Sequence, residues 1–164
     1  MHLMFKTSFG EAALIYRQKP FALLKTLLPR PNRKDLGPFL KGTAAEPPHA
    51  HEKTLTVAEM IIDYCKGKPI TPPWEWLDMG DLTRLQQAVL VATANIPYGQ
   101  LQSYREIAEA IGRPRACRFV GTALARNPFP ILIPCHRVIR SDGSFGCFGG
   151  GEDLKRKLIE LENT

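Results

Sequence analysis

The chain has 164 residues, 44% apolar and 23% charged, with a formal net charge of +6. This is ordinary globular composition, long enough for one domain or two small ones with real cores. No apolar run approaches a membrane span, and the basic excess hints at an anionic partner. Cys65, Cys117, Cys135 and Cys147 include no CxxC pair, so no metal site is expected and free thiols in a reducing cytosolic compartment are. The start, Met1-His-Leu-Met-Phe-Lys6, lacks the basic-then-apolar pattern of a signal segment.

Leu3 to Gly10 and Glu11 to Arg17 read as two strands turning at Gly10. Phe21 to Leu28 is apolar and short, so strand and helix both fit, and Pro29 is expected to stop it. Residues 29–48 hold five prolines and read as a loop, with a short turn of structure over 35–40. His49 and His51 lie close together there, but no third or fourth ligand stands at a metal spacing. Thr56-Val-Ala-Glu59 matches a capping box. It predicts a helix with Val57, Met60, Ile61, Tyr64 and Cys65 inward, closed by Gly67 and Pro69. Pro72-Pro-Trp-Glu-Trp76 reads as a linker or packing seam.

Leu82, Leu85, Val89 and Ala92 are spaced for a helix face that ends before Pro97-Tyr-Gly99. Ser103-Tyr-Arg-Glu106 is a second capping box, opening a helix with Ile107, Ala108 and Ile111 inward and Gly112 at its end. Pro114 suits the first turn of a further helix, with Ala116, Val120, Ala123 and Leu124 inward. Two short helices joined by a glycine turn make a helix-turn-helix pattern. Arg115, Arg118 and Arg126 on the second suit phosphate contact; a solvated basic face on a helical hairpin is the other reading. Between Tyr104 and Arg140 there are seven arginines against only Glu106 and Glu109, so the basic excess concentrates here. Leu154, Leu158 and Leu161 mark a final amphipathic helix, with Lys155, Arg156 and Lys157 expected on or near its polar side.

Between these helices runs Ile131-Leu-Ile-Pro-Cys-His-Arg-Val138, followed by the glycine-rich 143–151. A thiolate is the reactive form of cysteine and an adjacent base favours it, so Cys135 is a candidate nucleophile and His136 part of its activation. A structural cysteine beside a surface histidine is the alternative. A basic helix pair directly upstream of a reactive thiol suggests chemistry on DNA, where the target base must leave the stack to be reached.

Residues 81–162 resemble the O6-alkylguanine-DNA alkyltransferases, also called methylated-DNA–protein-cysteine methyltransferases. The likeness is carried by Ser103-Tyr-Arg-Glu-Ile-Ala108, Arg118-Phe-Val-Gly121, Asn127-Pro-Phe-Pro-Ile-Leu-Ile-Pro-Cys-His-Arg-Val138, Gly149-Gly-Gly151 and Leu158-Ile-Glu-Leu-Glu162. The first half fits more loosely. The resemblance implies an α+β chain: a small N-terminal antiparallel sheet with a helix, ribonuclease H-like, over 1–76, then a mainly helical winged helix-turn-helix domain over 77–164 for DNA binding and alkyl acceptance. It implies irreversible, once-only transfer of the alkyl group from O6-alkylguanine in double-stranded DNA, with O4-alkylthymine a further candidate, through minor-groove binding and nucleotide flipping. Cofactor and metal are expected to be absent, the zinc ligands of the human type not carrying over. A monomer with no membrane partner is expected, in the cytoplasm, beside the nucleoid in a prokaryote, or in a eukaryotic nucleus.

The resemblance also assigns roles. Cys135 is the acceptor, His136 its base through a water, Glu162 the residue that orients His136, and Asn127 the tie between recognition helix and active turn. Tyr104 crowds the 3′ phosphate and donates to the base. Arg118 fills the space of the flipped nucleotide, and Arg115, Ala116, Gly121, Arg126 and Arg137 join the DNA surface. The Cys135 and Val138 carbonyls and the Gly149 amide contact guanine, with Leu124, Pro130, Phe145, Phe148 and Gly150 along the alkyl side. Pro130 and Gly150 leave room, so bulky O6 groups such as benzyl are expected to be accepted. Three departures stand out. Phe148 replaces the usual tyrosine, Cys147 sits where asparagine is common, and Leu85-Gln-Gln-Ala-Val-Leu90 replaces a Phe-Gln…Val-Trp pattern. A lesion-binding alkyltransferase-like protein, which lacks the acceptor cysteine, a winged-helix regulator and a cysteine hydrolase are the alternatives.

Overall fold

The computed structural model describes residues 1–45 and 51–164. The fold is α+β, and the chain divides into two compact units. One is Met1–Asp78 with Pro128–Leu132, the other Met79–Asn127 with Ile133–Thr164. A single cut at 76/77 therefore misses one segment, 128–132, which belongs with the first unit.

The first unit is built on a three-stranded antiparallel sheet of β1 (His2–Thr7), β2 (Gly10–Arg17) and β3 (Ala22–Arg30), in that order. Gly10 has φ +121 and faces the Arg30 carbonyl so closely that a Cβ there would collide with it, so the hairpin needs glycine. Phe21 to Leu28 resolves as strand, and Pro29 does not end it. Glu11 pairs with Arg30 but Ala13 with Leu27, leaving a bulge that takes the proline without breaking a ladder bond. Segment 128–132 lies along this strand: Thr26 N–H donates to the Pro128 carbonyl and the Thr26 hydroxyl to the Pro130 carbonyl, each at 2.8 Å. The next residue, Ile131, is buried with φ +74, a strained setting for a β-branched side chain.

Residues 33–40 form a 3-10 turn and the one-turn helix α1 (Gly37–Leu40). Leu36 and Leu40 pack there on Ala13 and Leu27. The next helix, α2 (Glu52–Tyr64), starts earlier than predicted. His51 is its N-cap, its ring accepting from Lys53 N–H, while the Thr56 hydroxyl donates back to the Glu52 carbonyl inside the helix. Thr54, Val57, Ala58, Ile61 and Tyr64 form its buried face, and Cys65 caps it in the core. His49 lies outside the described residues.

The second unit is mainly helical. A capping box between Thr83 and Gln86 opens α3 (Arg84–Ala94), and Val89, Leu90 and Thr93 are its buried residues. The Ser103–Glu106 box opens α4 (Tyr104–Ala110) as predicted, directly after the two-residue strand β4 (Gln102–Ser103). Gly112, at φ +68, turns the chain. The following helix, α5 (Cys117–Ala125), begins later than Pro114 suggests, because residues 113–116 close a turn with Ala116 N–H on the Arg113 carbonyl. The short β5 (Val138–Ile139) pairs in parallel with β4, and α6 (Glu152–Glu162) closes the unit.

Candidate active site

Cys135 opens a single 3-10 turn, Cys135–Arg137, that runs into β5. Cys135 N–H donates to the Ile133 carbonyl at 2.8 Å and Arg137 N–H to the Pro134 carbonyl at 2.9 Å. Two anchors fix the turn. Asn127, just beyond α5, donates its side-chain amide to the Ile133 carbonyl at 3.0 Å. On the other side Val138 and Ile139 pair with Gln102 and Ser103, which places the start of α4, and so Tyr104, beside the turn.

The carboxylate behind the turn is Glu162, buried at the end of α6 rather than frayed into solvent. Its Oε1 stands 2.9 Å from His136 Nε2. It also accepts from the Arg137 guanidinium, with Nε 2.9 Å from Oε2 and Nη2 3.0 Å from Oε1, and from the Gly99 amide at 3.1 Å. Arg137 spends Nη1 on the Ile96 carbonyl at 2.6 Å and stacks over Tyr98. Gly99 is required here: its φ is +76, and a Cβ would lie 3.0 Å from the Glu162 carbonyl oxygen. A buried carboxylate with this many donors is fully satisfied and fixed in direction.

The thiol and imidazole are tuned by the same surroundings. Burial pushes the Cys135 thiol up from its ordinary value, while the Asn127 hydrogen bond, the Lys155 charge and the backbone amides of Cys135 and His136 pull the other way. Burial pulls His136 down, opposed by Glu162 and reinforced by Arg137 and Lys155. At neutral pH the pair is therefore thiol beside neutral imidazole. Because Nε2 donates its proton to Glu162, Nδ1 is the basic ring atom. A thiol, an imidazole and a carboxylate thus stand together on the turn and the helix behind it, the group types that a nucleophile, a base and its orienter require. Phe148 meets the His136 ring edge-on, with centroids 6.4 Å apart.

Tyr104 sits half-buried between α5 and the glycine-rich segment. The backbone of Gly146 lies against its hydroxyl so closely that no Cβ fits, and Gly121 of α5 faces its ring. Burial raises the Tyr104 pKa, and negative charge on Cys135 or Cys147 would raise it further. An open groove of about 670 Å³ runs past it, lined among others by Arg105, Arg118, Arg140 and Cys147 and by no acidic side chain.

Cys135, His136, Glu162, Asn127, Tyr104 and Val138 come together in this unit. Arg118, Arg115 and Arg126 are exposed on or beside α5, with Ala116 at its N-cap. Arg137 is a correction: it is 6% exposed and every guanidinium nitrogen is engaged internally, so it is a structural cation and not a DNA contact. Leu124 is a core residue of α5, Gly149 is exposed, and Phe145 and Gly150 are half-buried. Pro130 belongs to the first unit, where its carbonyl is held by Thr26. Lys155 is the second correction. It is fully buried and donates to the Val138 carbonyl at 2.6 Å. The inward stripe of α6 is Lys155, Leu158 and Glu162, one step around the helix from the leucine pattern. Gly99, Ile96, Arg140 and Gly146 are further site residues that the sequence pattern alone does not single out. Among the described residues no three His, Cys, Asp or Glu side chains are grouped to hold a metal, no helix is long and apolar enough to cross a membrane, and all four cysteines are free.

Residues 84–164 match the family described as 6-O-methylguanine DNA methyltransferase, DNA binding domain. A methylated-DNA–protein-cysteine methyltransferase of Methanothermobacter thermautotrophicus is 43% identical over 121 residues, which are 73% of this chain and 65% of that protein. The protein of the same name from Methanosarcina barkeri is 51% identical over 82 residues, 50% of this chain and 52% of its own length. The matches thus span about half to two thirds of these relatives. A crystal structure of Mycobacterium tuberculosis OGT in complex with DNA superposes with a TM-score of 0.79 at 32% identity, covering 99% of this chain and 92% of that one. With the family model matching residues 84–164 and a solved relative 32% identical and 92% covered, the chain belongs to the methylated-DNA–protein-cysteine methyltransferase family.

Proposed function

We propose that the protein repairs alkylated DNA by direct reversal, taking the alkyl group of O6-alkylguanine onto Cys135. The observation that carries this is the buried His136–Glu162 pair behind the Cys135 turn. His136 removes the thiol proton through a water. The sulfur attacks the alkyl carbon and displaces the guanine O6, a C–S bond forming as the C–O bond breaks. Tyr104 donates a proton toward the departing base, so guanine leaves neutral. The product is a thioether, which does not hydrolyse, so each molecule acts once and no cofactor takes part.

The groove beside Tyr104, with its arginines and without acids, is where this reading seats the DNA backbone. The α4–α5 pair acts as the helix-turn-helix of a winged-helix domain spanning roughly residues 77–164, with α5 in the minor groove and Arg118 in the space of the extruded nucleotide. Little sequence information is available in that groove, which suits damage found anywhere. The N-terminal unit is of the ribonuclease H-like kind, supported by its antiparallel sheet and α2. The protein works as a monomer wherever DNA is kept, in a prokaryotic cytoplasm or a eukaryotic nucleus. O4-alkylthymine and bulky O6 groups such as benzyl are further substrates.

Intact mass after incubation with a duplex carrying O6-methylguanine tests the reading. One methyl on the parent and none on Cys135→Ala is expected. A parent of unchanged mass would leave a lesion-binding protein instead.

A further inference from the structure

Residues 145–148 wall the site without a backbone ladder to hold them. Gly146 and Cys147 line the groove, and the Gly146 backbone confines the Tyr104 hydroxyl. Yet among the described residues no backbone hydrogen bond is made by 145–147. The flanking ones, Arg140 N–H to the Ser144 carbonyl at 2.9 Å and Gly151 N–H to the Phe148 carbonyl at 3.0 Å, only close local turns. One side of Tyr104 therefore rests on a stretch of chain whose own amides do not fix it.

Two rings hold it instead. Phe148 meets His136 edge-on at 6.4 Å. Phe145 turns onto α6, where the Arg156 guanidinium carbon lies 5.6 Å and Lys155 Nζ 5.9 Å from its ring centre. Both cations are within the range at which a ring face attracts them. Arg156 is itself steadied by Glu152 one turn earlier, with Nη2 3.0 Å from Oε1. An aliphatic side chain at 145 would offer these cations no negative face. The residue type thus fits a latch between the glycine-rich segment and α6, and Phe145 is half-buried, outside the apolar core.

We propose that Phe145 is a positioning residue for Tyr104: its ring, gripped from α6 by Arg156 and Lys155, seats the Gly146 backbone against the Tyr104 hydroxyl and so fixes where that hydroxyl points. Phe145 acts through Gly146 and not by contact with the reacting atoms. The role rests on Tyr104 being the proton donor, and it names what holds that donor in place.

The test uses the full chain as parent, F145L, R156M and R156K, each with tyrosine carrying 13C at Cζ. The chain has four tyrosines, and Tyr104→Phe assigns the Tyr104 signal. In the parent this hydroxyl titrates above the ordinary tyrosine value because it is buried, with Cys135 and Cys147 adding to the rise and Arg140 opposing it. F145L is expected to move the signal and lower its titration midpoint by about half a unit or more, as the hydroxyl gains water. R156M should do the same to a smaller extent, and R156K, which keeps the cation, should restore the parent's behaviour. Arg156 is exposed, so R156M should keep a thermal midpoint close to the parent's. Single-turnover transfer from an O6-methylguanine duplex should slow about tenfold in F145L and about threefold in R156M. In a Tyr104→Phe background F145L should slow it no further, because the hydroxyl it places is gone. A Tyr104 signal and titration unchanged in a folded F145L would overturn the proposal. So would a tenfold loss that persists in the Tyr104→Phe background, which would set Phe145 against the substrate itself. If F145L does not fold, R156M and R156K give the same readings. A parent whose Tyr104 signal depends on Phe145 and Arg156 but which transfers no methyl from DNA would refute the repair function and leave the hold on Tyr104 standing.

Discussion

Arg137 and Glu162 form a buried two-pronged ion pair, with side chains 7% and 2% exposed and Nε 2.9 Å from Oε2. The same carboxylate holds His136 at 2.9 Å, so in the proposed reaction one residue serves both stability and chemistry. Glu162→Gln keeps the shape and removes the charge. It leaves Arg137 buried without its counter-ion, which costs about 3–5 kcal/mol, and lets His136 lose its fixed tautomer, which slows transfer by roughly a hundredfold. Chemical denaturation and single-turnover kinetics read the two effects. Replacing both partners by methionine should recover much of the stability and none of the rate. A double variant that recovered activity would separate Glu162 from the chemistry.

Stability should pass through a plateau in pH. His136 is held neutral, burial pulling its folded pKa below the ordinary value of 6.5, so the folded state binds fewer protons than the unfolded one and stability falls as pH drops below about 6.5. Cys135 and Cys65 are raised above 9.0, Cys65 to about 11 by burial, so stability falls again as pH rises through that range. The two-unit shift at Cys65 corresponds to roughly 3 kcal/mol. Urea midpoints between pH 5 and 11 measure this. Cys65→Ala should flatten part of the alkaline fall, and an unchanged alkaline limb would contradict the assignment.

What sequence alone conveyed follows from how local each feature is. The Gly10 hairpin, the Ser103–Glu106 capping box and the Gly112 turn depend on neighbours a few residues apart, and they are legible. The start of α2 is not, because histidine is a rare cap and Thr56 offers the commoner signature while bonding back into the helix. The union of 128–130 with β3 is invisible locally, since Thr26 meets Pro130 across more than a hundred positions. At the site, the Pro-Cys-His-Arg-Val motif points to Cys135 and His136. Arg137 and Lys155 were misplaced for one reason: a cation inside a basic stretch reads as surface, and only the fold shows that Glu162 and the Val138 carbonyl lie opposite.

That contrast separates the arginines experimentally. Arg118 is exposed at the groove, whereas Arg137 is committed inside. Arg118→Ala should weaken binding to unmodified duplex and lower the salt dependence of log K by about one counterion, with little change in thermal midpoint. Arg137→Ala should do the reverse, losing several degrees of thermal midpoint while its salt slope, measured where the protein is folded, stays at the parent value. Fluorescence anisotropy across a salt series and a thermal melt are sufficient, and a reduced slope for Arg137→Ala would return it to the DNA surface.

Gly146 and Tyr104 give the sharpest packing test. The Gly146 backbone rests on the Tyr104 hydroxyl, and a methyl group there overlaps the phenol. A Cβ built at Gly121 would meet the same ring only at ordinary contact distances, 3.8 and 4.0 Å, so the glycine there leaves the ring space to shift toward α5. Gly146→Ala should therefore push Tyr104 out of place and slow transfer by about tenfold or more, with DNA affinity and thermal stability nearly kept, because both residues line an open groove and not the core. Tyr104→Ala alone should also be slow, through loss of the proton donor. Once the ring is gone the three atoms nearest the added methyl are gone with it, so the double variant should be no slower than Tyr104→Ala. The cycle yields a coupling close to the whole effect of Gly146→Ala. Additive losses would show that Gly146 acts on some other group.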